Sequence, residues 1–216
     1  MASSALHKTV QPVAHASVCM VMLMFDEVEV LDFSGPYEVF TTASRVHGKQ
    51  GRPGPPPFTL QTVSRDGGPV RARAGLVCQT DATFADAPAA DWLLVPGGVV
   101  DGPLACAETL AWVAAQAAQA QGVASVCTGA FILAAAGVLV DGEATTHWED
   151  VADLRRQHPG LQVREDLRWV DRGRLVTSAG ISAGLDMSLH LVARLAGVDL
   201  ARATARQMDY RWEERA

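Results

Sequence analysis

The sequence predicts an α/β fold in which a largely parallel sheet carries helices on both faces. Three observations predict it. Val18 to Phe25, Trp92 to Val95 and the run that starts at Gly122 are short and apolar, as strands buried on both faces are. Helical stretches alternate with these strands, the pattern of crossovers between parallel neighbours. Ser125-Val126-Cys127-Thr128-Gly129-Ala130 then joins one such strand to a small-residue helix through a tight turn that carries a thiol.

The elements follow in chain order. Met1 to Ala16 lacks the continuous apolar stretch of a signal peptide and reads as a flexible lead-in over residues 1–16. After the first strand, Asp26 to Gly35 reads as a loop. Pro36 opens a helix to about Arg45, because proline suits a first helical position. Residues 47–57 (HGKQGRPGPPP) form an exposed loop. Phe58 to Ser64 alternates as a strand, Asp66-Gly67-Gly68 is a turn, and Val70 to Thr80 holds short strands around Gly75. Trp92 to Val95 ends in Pro96-Gly97-Gly98, and the alanine-rich stretch from Leu104 to Gln121 is helical.

The strand and helix around Cys127 come next, the helix running from Phe131 to Gly137. Ala144 to Thr146 is a short strand leading to His147-Trp148 and a helix to about Gln157. Leu167 to Thr177 is a hairpin turning at Asp171-Arg172-Gly173-Arg174. Gly180 to Gly184 leads into a helix from Leu185 to Ala196. Asp199 caps a last helix, Leu200 to about Tyr210. No internal repeat interrupts the pattern, so residues 17–212 read as a single domain.

Composition narrows the function. With 216 residues and 49% hydrophobic content the chain can bury one substantial core. A net charge of -6 and the lack of a Lys/Arg block argue against a nucleic-acid surface. The four cysteines (Cys19, Cys78, Cys106, Cys127) form no C-x-x-C pair and show no metal-ligand spacing. They read as free thiols in a reducing, cytoplasmic setting. No apolar run reaches the length of a membrane span.

Cys127 is the candidate nucleophile. The first N–H groups and the dipole of the following helix favour its thiolate, although a structural cysteine in a punctuating turn has the same local sequence. Ligands of parallel sheets bind beyond the carboxyl ends of the strands, and the loop at Asp32, the glycines after Val95 and Cys127 all fall there. A carboxyl group beside a thiolate has its pKa raised by like charge, so Asp32 can stay protonated and act as an acid. Alternatively, Asp32 or Ser34 satisfies the helix at Pro36.

The Thr128 N–H can stabilise charge on an attacked substrate, and its side chain equally suits helix capping. Gly97 and Gly98 allow close backbone approach and expose N–H donors, and they also suit a tight turn. His147 is either a base for Cys127 or a hydrogen-bonded turn residue. Glu27 and Glu29 face solvent, His190 packs, and His158 is on the surface. Asp186 meets its helix N-terminus, and Cys19 and Cys78 are core. Cys106 is partly exposed, with no base indicated beside it.

Four segments carry a family resemblance: Leu31-Asp32-Phe33-Ser34-Gly35-Pro36, Val95-Pro96-Gly97-Gly98, Ser125-Val126-Cys127-Thr128-Gly129 and Ala144-Thr145-Thr146-His147-Trp148. With support from Ser178 to Asp186, they resemble the DJ-1/PfpI (ThiJ) superfamily over about Val18 to Trp212. The resemblance implies a class I glutamine-amidotransferase-like, flavodoxin-like sandwich with a cysteine nucleophile elbow. In that superfamily an acidic residue on the first loop, often Glu, hydrogen-bonds the elbow cysteine. The matching position here is Asp32, one methylene shorter. His147 matches the Thr-His-Trp pattern. Thr128 replaces the histidine that follows the nucleophile in the protease-like branch, which argues against protease or deglycase chemistry.

Two branches share these motifs: the isonitrile (isocyanide) hydratases and the sensor domains of AraC-type regulators, which carry an additional helix-turn-helix region. The acidic charge and a chain that stops at Ala216 favour the hydratase branch, while residues 47–57 and 167–177 look at least as much like the sensors. The hydratase resemblance implies hydration of organic isocyanides to N-substituted formamides. Cys127 attacks, Asp32 moves protons, and the Gly97, Gly98 and Thr128 backbone orients the substrate. It implies a small-molecule substrate, no metal, no organic cofactor and a homodimer. The alternatives are a non-catalytic sensor module and a glyoxalase-type enzyme acting on reactive carbonyls.

Overall fold

The structure, a computed structural model, describes residues 16–216. All of the expected lead-in except Ala16 lies outside the described residues. In chain order the elements are β1 (Val18–Leu23), α1 (Val30–Lys49), β2 (Phe58–Ser64), β3 (Pro69–Arg71), β4 (Val77–Gln79), β5 (Ala82–Thr83), β6 (Trp92–Val95), α2 (Asp101–Ala105), α3 (Ala107–Gln119), β7 (Gly122–Val126) and α4 (Gly129–Ala135). Then follow β8 (Gly142–Ala144), α5 (Val151–Gln157), β9 (Leu161–Val163), β10 (Trp169–Asp171), β11 (Leu175–Ser178), α6 (Ala183–Ala196) and α7 (Val198–Gln207).

The main sheet has seven strands in the order β10-β11-β7-β6-β1-β2-β5. All of its pairings are parallel except that of β10 with β11. This is the expected α/β, flavodoxin-like sandwich.

The strand period of two sorts the core into two layers. Met20, Met22, Leu94, Ala124 and Val126 face one layer, which α1, α6 and α7 close. Val21, Leu23, Leu93, Val95 and Val123 face the other, which α3, α4 and α5 close. With both faces covered, β1, β6 and β7 carry the continuous apolar runs that made them legible. No helix of the described residues is long and apolar enough to cross a membrane.

The structure departs from expectation at helix boundaries. α1 starts at Val30 rather than Pro36, because the Glu29 side chain accepts from the Val30 amide and caps it. Pro36 then lies inside the helix, where it forfeits the amide bond to the Asp32 carbonyl. The alanine-rich helix begins at Asp101 and breaks at Cys106, whose extended backbone (φ −99°, ψ 100°) separates α2 from α3. The last helix begins at Val198, with Asp199 in its first turn instead of at the cap. The sequence reading also missed β5 and β9. β9 pairs with β8 in a separate two-stranded sheet.

Candidate active site

β7 delivers the chain to Cys127, which sits in the left-handed region with φ 56°. A non-glycine residue held there stores on the order of 1–3 kcal/mol of strain. Its neighbours over-determine the turn. The Cys127 amide donates to the Ser178 carbonyl at 3.1 Å, and the Thr146 hydroxyl donates to the Cys127 carbonyl at 2.9 Å. A Cβ on Gly129 would meet the Val95 carbonyl oxygen at 2.1 Å, so only glycine lets α4 start this close to β6. The result is a strand–turn–helix elbow, as the sequence indicated.

The first turn of α1 brings Asp32 to this elbow. Asp32 is 1% exposed, and its carboxyl group accepts from the Gly97 amide at 3.1 Å through Oδ2, while the buried Oδ1 has no hydrogen-bond partner among the described residues. Burial pushes Asp32 up to about 7, against the pull of the thiol and the Gly97 amide. The nearby Glu29 carboxylate adds to the rise and Arg73 opposes it. These two are themselves paired at 3.2 Å. Glu29 is therefore a cap and an ion-pair partner, not merely a solvent-facing carboxylate.

The same burial corrects the expectation for sulfur. Cys127 is 7% exposed, and burial, then the Asp32 charge, push its thiol up; the Thr128 amide pulls it down by less. α4 has only seven residues, too short to offer much dipole against that desolvation. Each group is among the causes of the other's shift, so a proton on Asp32 removes the charge that opposes the thiolate and leaves burial, the larger cause, in place.

The remaining predicted residues fall as follows. Gly97 and Gly98 do adjoin the elbow, but both amides are already engaged. Gly97 donates to Asp32, and Gly98 donates to the Thr128 hydroxyl at 2.9 Å. The Thr128 hydroxyl also donates to the Gly98 carbonyl at 2.9 Å, so it clamps the two loops together and caps nothing. The Thr128 amide is the backbone group that favours charge on the sulfur.

His147 lies one residue beyond Thr146, yet its Nδ1 faces Asp150 at 3.5 Å and Glu149 at 3.7 Å. No hydrogen bond among the described residues joins it to Cys127 or Asp32. Asp186 is fully buried and bonds Arg168, the Tyr210 hydroxyl and the Glu213 amide, so it anchors the chain after α7 rather than a helix N-terminus. Sequence reasoning missed Thr146 and Arg73. Thr146 stood inside a quoted motif, but nothing local marks its hydroxyl as the one that reaches Cys127.

Among the described residues no three His, Cys, Asp or Glu side chains gather as a metal site would require.

Comparison with known proteins agrees with this geometry. The family model described as DJ-1/PfpI family matches residues 17–194. The chain is 39% identical over 189 residues to an isonitrile hydratase of Pseudomonas putida, covering 87% of this chain and 76% of that one. It is 32% identical over 188 residues to the HTH-type transcriptional regulator GbdR of Pseudomonas aeruginosa, covering 87% of this chain and 49% of the regulator. Among solved structures, a THiJ/PfpI family protein from Pseudomonas syringae superposes with a TM-score of 0.79 at 30% identity, over 97% of this chain and 85% of that one. A cysteine elbow at the end of β7, an acid on α1 beside it and these similarities lead to one conclusion: the chain belongs to the DJ-1/PfpI family.

Proposed function

We propose that the protein hydrates organic isocyanides to N-substituted formamides, with Cys127 as nucleophile and Asp32 as the group that moves protons. The observation that carries this reading is the buried Asp32 carboxyl at the Cys127 elbow, held through one oxygen by the Gly97 amide, with its other oxygen unpartnered, and pushed by burial up to about 7. An acid whose pKa lies near the working pH can both give and take a proton within one cycle. The 39% identity to an isonitrile hydratase supplies the substrate class.

The sulfur forms a bond to the terminal isocyanide carbon while the proton held by Asp32 passes to that carbon, giving a thioimidate. Asp32, now a carboxylate, takes a proton from water as the hydroxyl adds to the same carbon, and returns that proton to nitrogen. The C–S bond then breaks, the hydroxyl proton goes back to Asp32, and the formamide leaves with sulfur and acid restored. The Thr128 amide offsets charge on the sulfur. Gly97 and Thr128 serve by holding Asp32 and the elbow. A single domain over residues 17–212, a cytoplasmic setting and a homodimer belong to this same reading.

A second reading, ligand sensing without turnover, is favoured by the match to nearly half of a transcriptional regulator and by a resting thiol that burial keeps protonated. Incubation with alkyl and aryl isocyanides, with products read by mass spectrometry, separates the two. Formamide production supports hydration. Saturable binding of isocyanide with no formamide supports sensing. Lactate from methylglyoxal, with no formamide, points to reactive carbonyls instead.

A further inference from the structure

Away from the elbow, a cavity of about 300 Å³ opens beyond the carboxyl ends of β1 and β2. Phe25, Val70, Phe84 and Pro103 give it apolar walls, and Cys106 lines it where α2 breaks from α3. Cys106 is a free, partly exposed thiol. The Arg65 Nη1 lies 3.8 Å from its sulfur. Arg65 is in turn held by Asp66 at 2.8 Å, which fixes the guanidinium at the cavity wall.

The local chemistry of this sulfur is the reverse of that at Cys127. The Thr109 hydroxyl and amide, then Arg65 and the Glu108 amide, hold the Cys106 thiol below its usual range, whereas burial pushes Cys127 and Cys19 up. A cation, a helix N-terminus and partial exposure are the conditions that make a cysteine reactive. The charges around it come from three directions. Arg65 and Asp66 lie on the turn after β2, Asp26 on the loop after β1, and Glu108 in the first turn of α3. One cation among three carboxylates repels anionic reagents, while the apolar walls favour neutral ones.

We propose that this cavity is a second, covalent site, at which Cys106 captures neutral α,β-unsaturated carbonyl compounds. The sulfur lone pair forms an S–C bond to the β-carbon. The C=C π pair moves onto the carbonyl as an enolate, and the enolate takes a proton from water. The product is a saturated thioether, and no oxidant or reductant is consumed. The site does not depend on the reaction proposed for Cys127.

The test is limited labelling of the full chain with N-ethylmaleimide, a neutral reagent of this class, with the four cysteine peptides followed by mass spectrometry across pH. Each unit by which the thiol is lowered gives up to about tenfold more thiolate near neutrality. Cys106 is therefore labelled ahead of the other three cysteines, and its rate levels off at lower pH than for a free cysteine peptide. Arg65→Gln and Thr109→Val move that profile upward, and Cys127→Ala leaves it in place. Iodoacetamide outruns iodoacetate at Cys106 by more than it does at the free peptide. Labelling led by Cys19, Cys78 or Cys127, a Cys106 profile matching the free peptide, or iodoacetate keeping pace with iodoacetamide overturns the proposal.

Discussion

The Thr128 hydroxyl closes on Gly98 twice, donating to its carbonyl and accepting from its amide, both at 2.9 Å. One side chain thus ties the nucleophile elbow to the loop after β6, the loop whose Gly97 amide holds Asp32. Sulfur and acid are positioned by a single clamp. Thr128→Val removes both bonds and leaves two polar groups of Gly98 unpaired, a loss of about 1–3 kcal/mol. Thr128→Ser keeps them. Chemical denaturation of the two variants checks this; equal stability would mean that the clamp carries no weight.

Gly97 has no room for a side chain. A Cβ there would meet the Thr128 Oγ1 at 2.5 Å and the Asp32 Oδ2 at 2.9 Å. Gly97→Ala forces apart the two groups that the loop joins. The expected outcome is a stability loss on the order of 1–3 kcal/mol, together with an altered pH dependence of isocyanide turnover. A folded variant with wild-type stability and pH profile contradicts this placement of Gly97.

Asp32 makes stability depend on pH. Its pKa is raised from 3.8 to about 7 in the folded state, so between those values the native chain binds a proton that the unfolded chain has lost. Stability therefore falls as pH rises through this window, by on the order of a few kcal/mol. Asp32→Asn carries a neutral amide at every pH and escapes that loss. Urea denaturation across the window reads the effect: the variant gains on wild type as pH rises. Parallel curves for the two proteins would contradict the buried, proton-holding acid.

Strain at Cys127 is separable from chemistry. At φ 56° an alanine keeps the penalty, while glycine has none. Cys127→Gly is expected to be more stable than Cys127→Ala by about 1 kcal/mol, although glycine normally costs stability through the unfolded chain. Thermal denaturation of the pair reads the sign.

The sheet was legible in the sequence because β1, β6 and β7 are buried on both faces and cannot carry polar residues freely. The β10–β11 hairpin was legible from its turn, where Gly173 has φ 80°. The start of α1 was not, since the proline at position 36 is a stronger local signal than a single capping glutamate at position 29. The break at Cys106 has no proline or glycine at the break itself to announce it. At the site, Cys127 and Asp32 stood in recognisable segments. The closure of Thr128 on Gly98 and of Thr146 on Cys127 depends on distant loops meeting across the sheet, with Val95 paired to Ser125. Local sequence does not encode that meeting. The direction of the Cys127 shift was missed for a related reason, because burial is a tertiary property.

The central claim is that Cys127 and Asp32 share one proton and use it to hydrate isocyanides. Formamide release from an alkyl isocyanide, measured for wild type, Cys127→Ala and Asp32→Asn near neutral pH, tests it most directly. The account predicts steady release by the wild type and a loss of about a hundredfold or more in each variant. Wild type that releases no formamide, or either variant turning over at the wild-type rate, would contradict it.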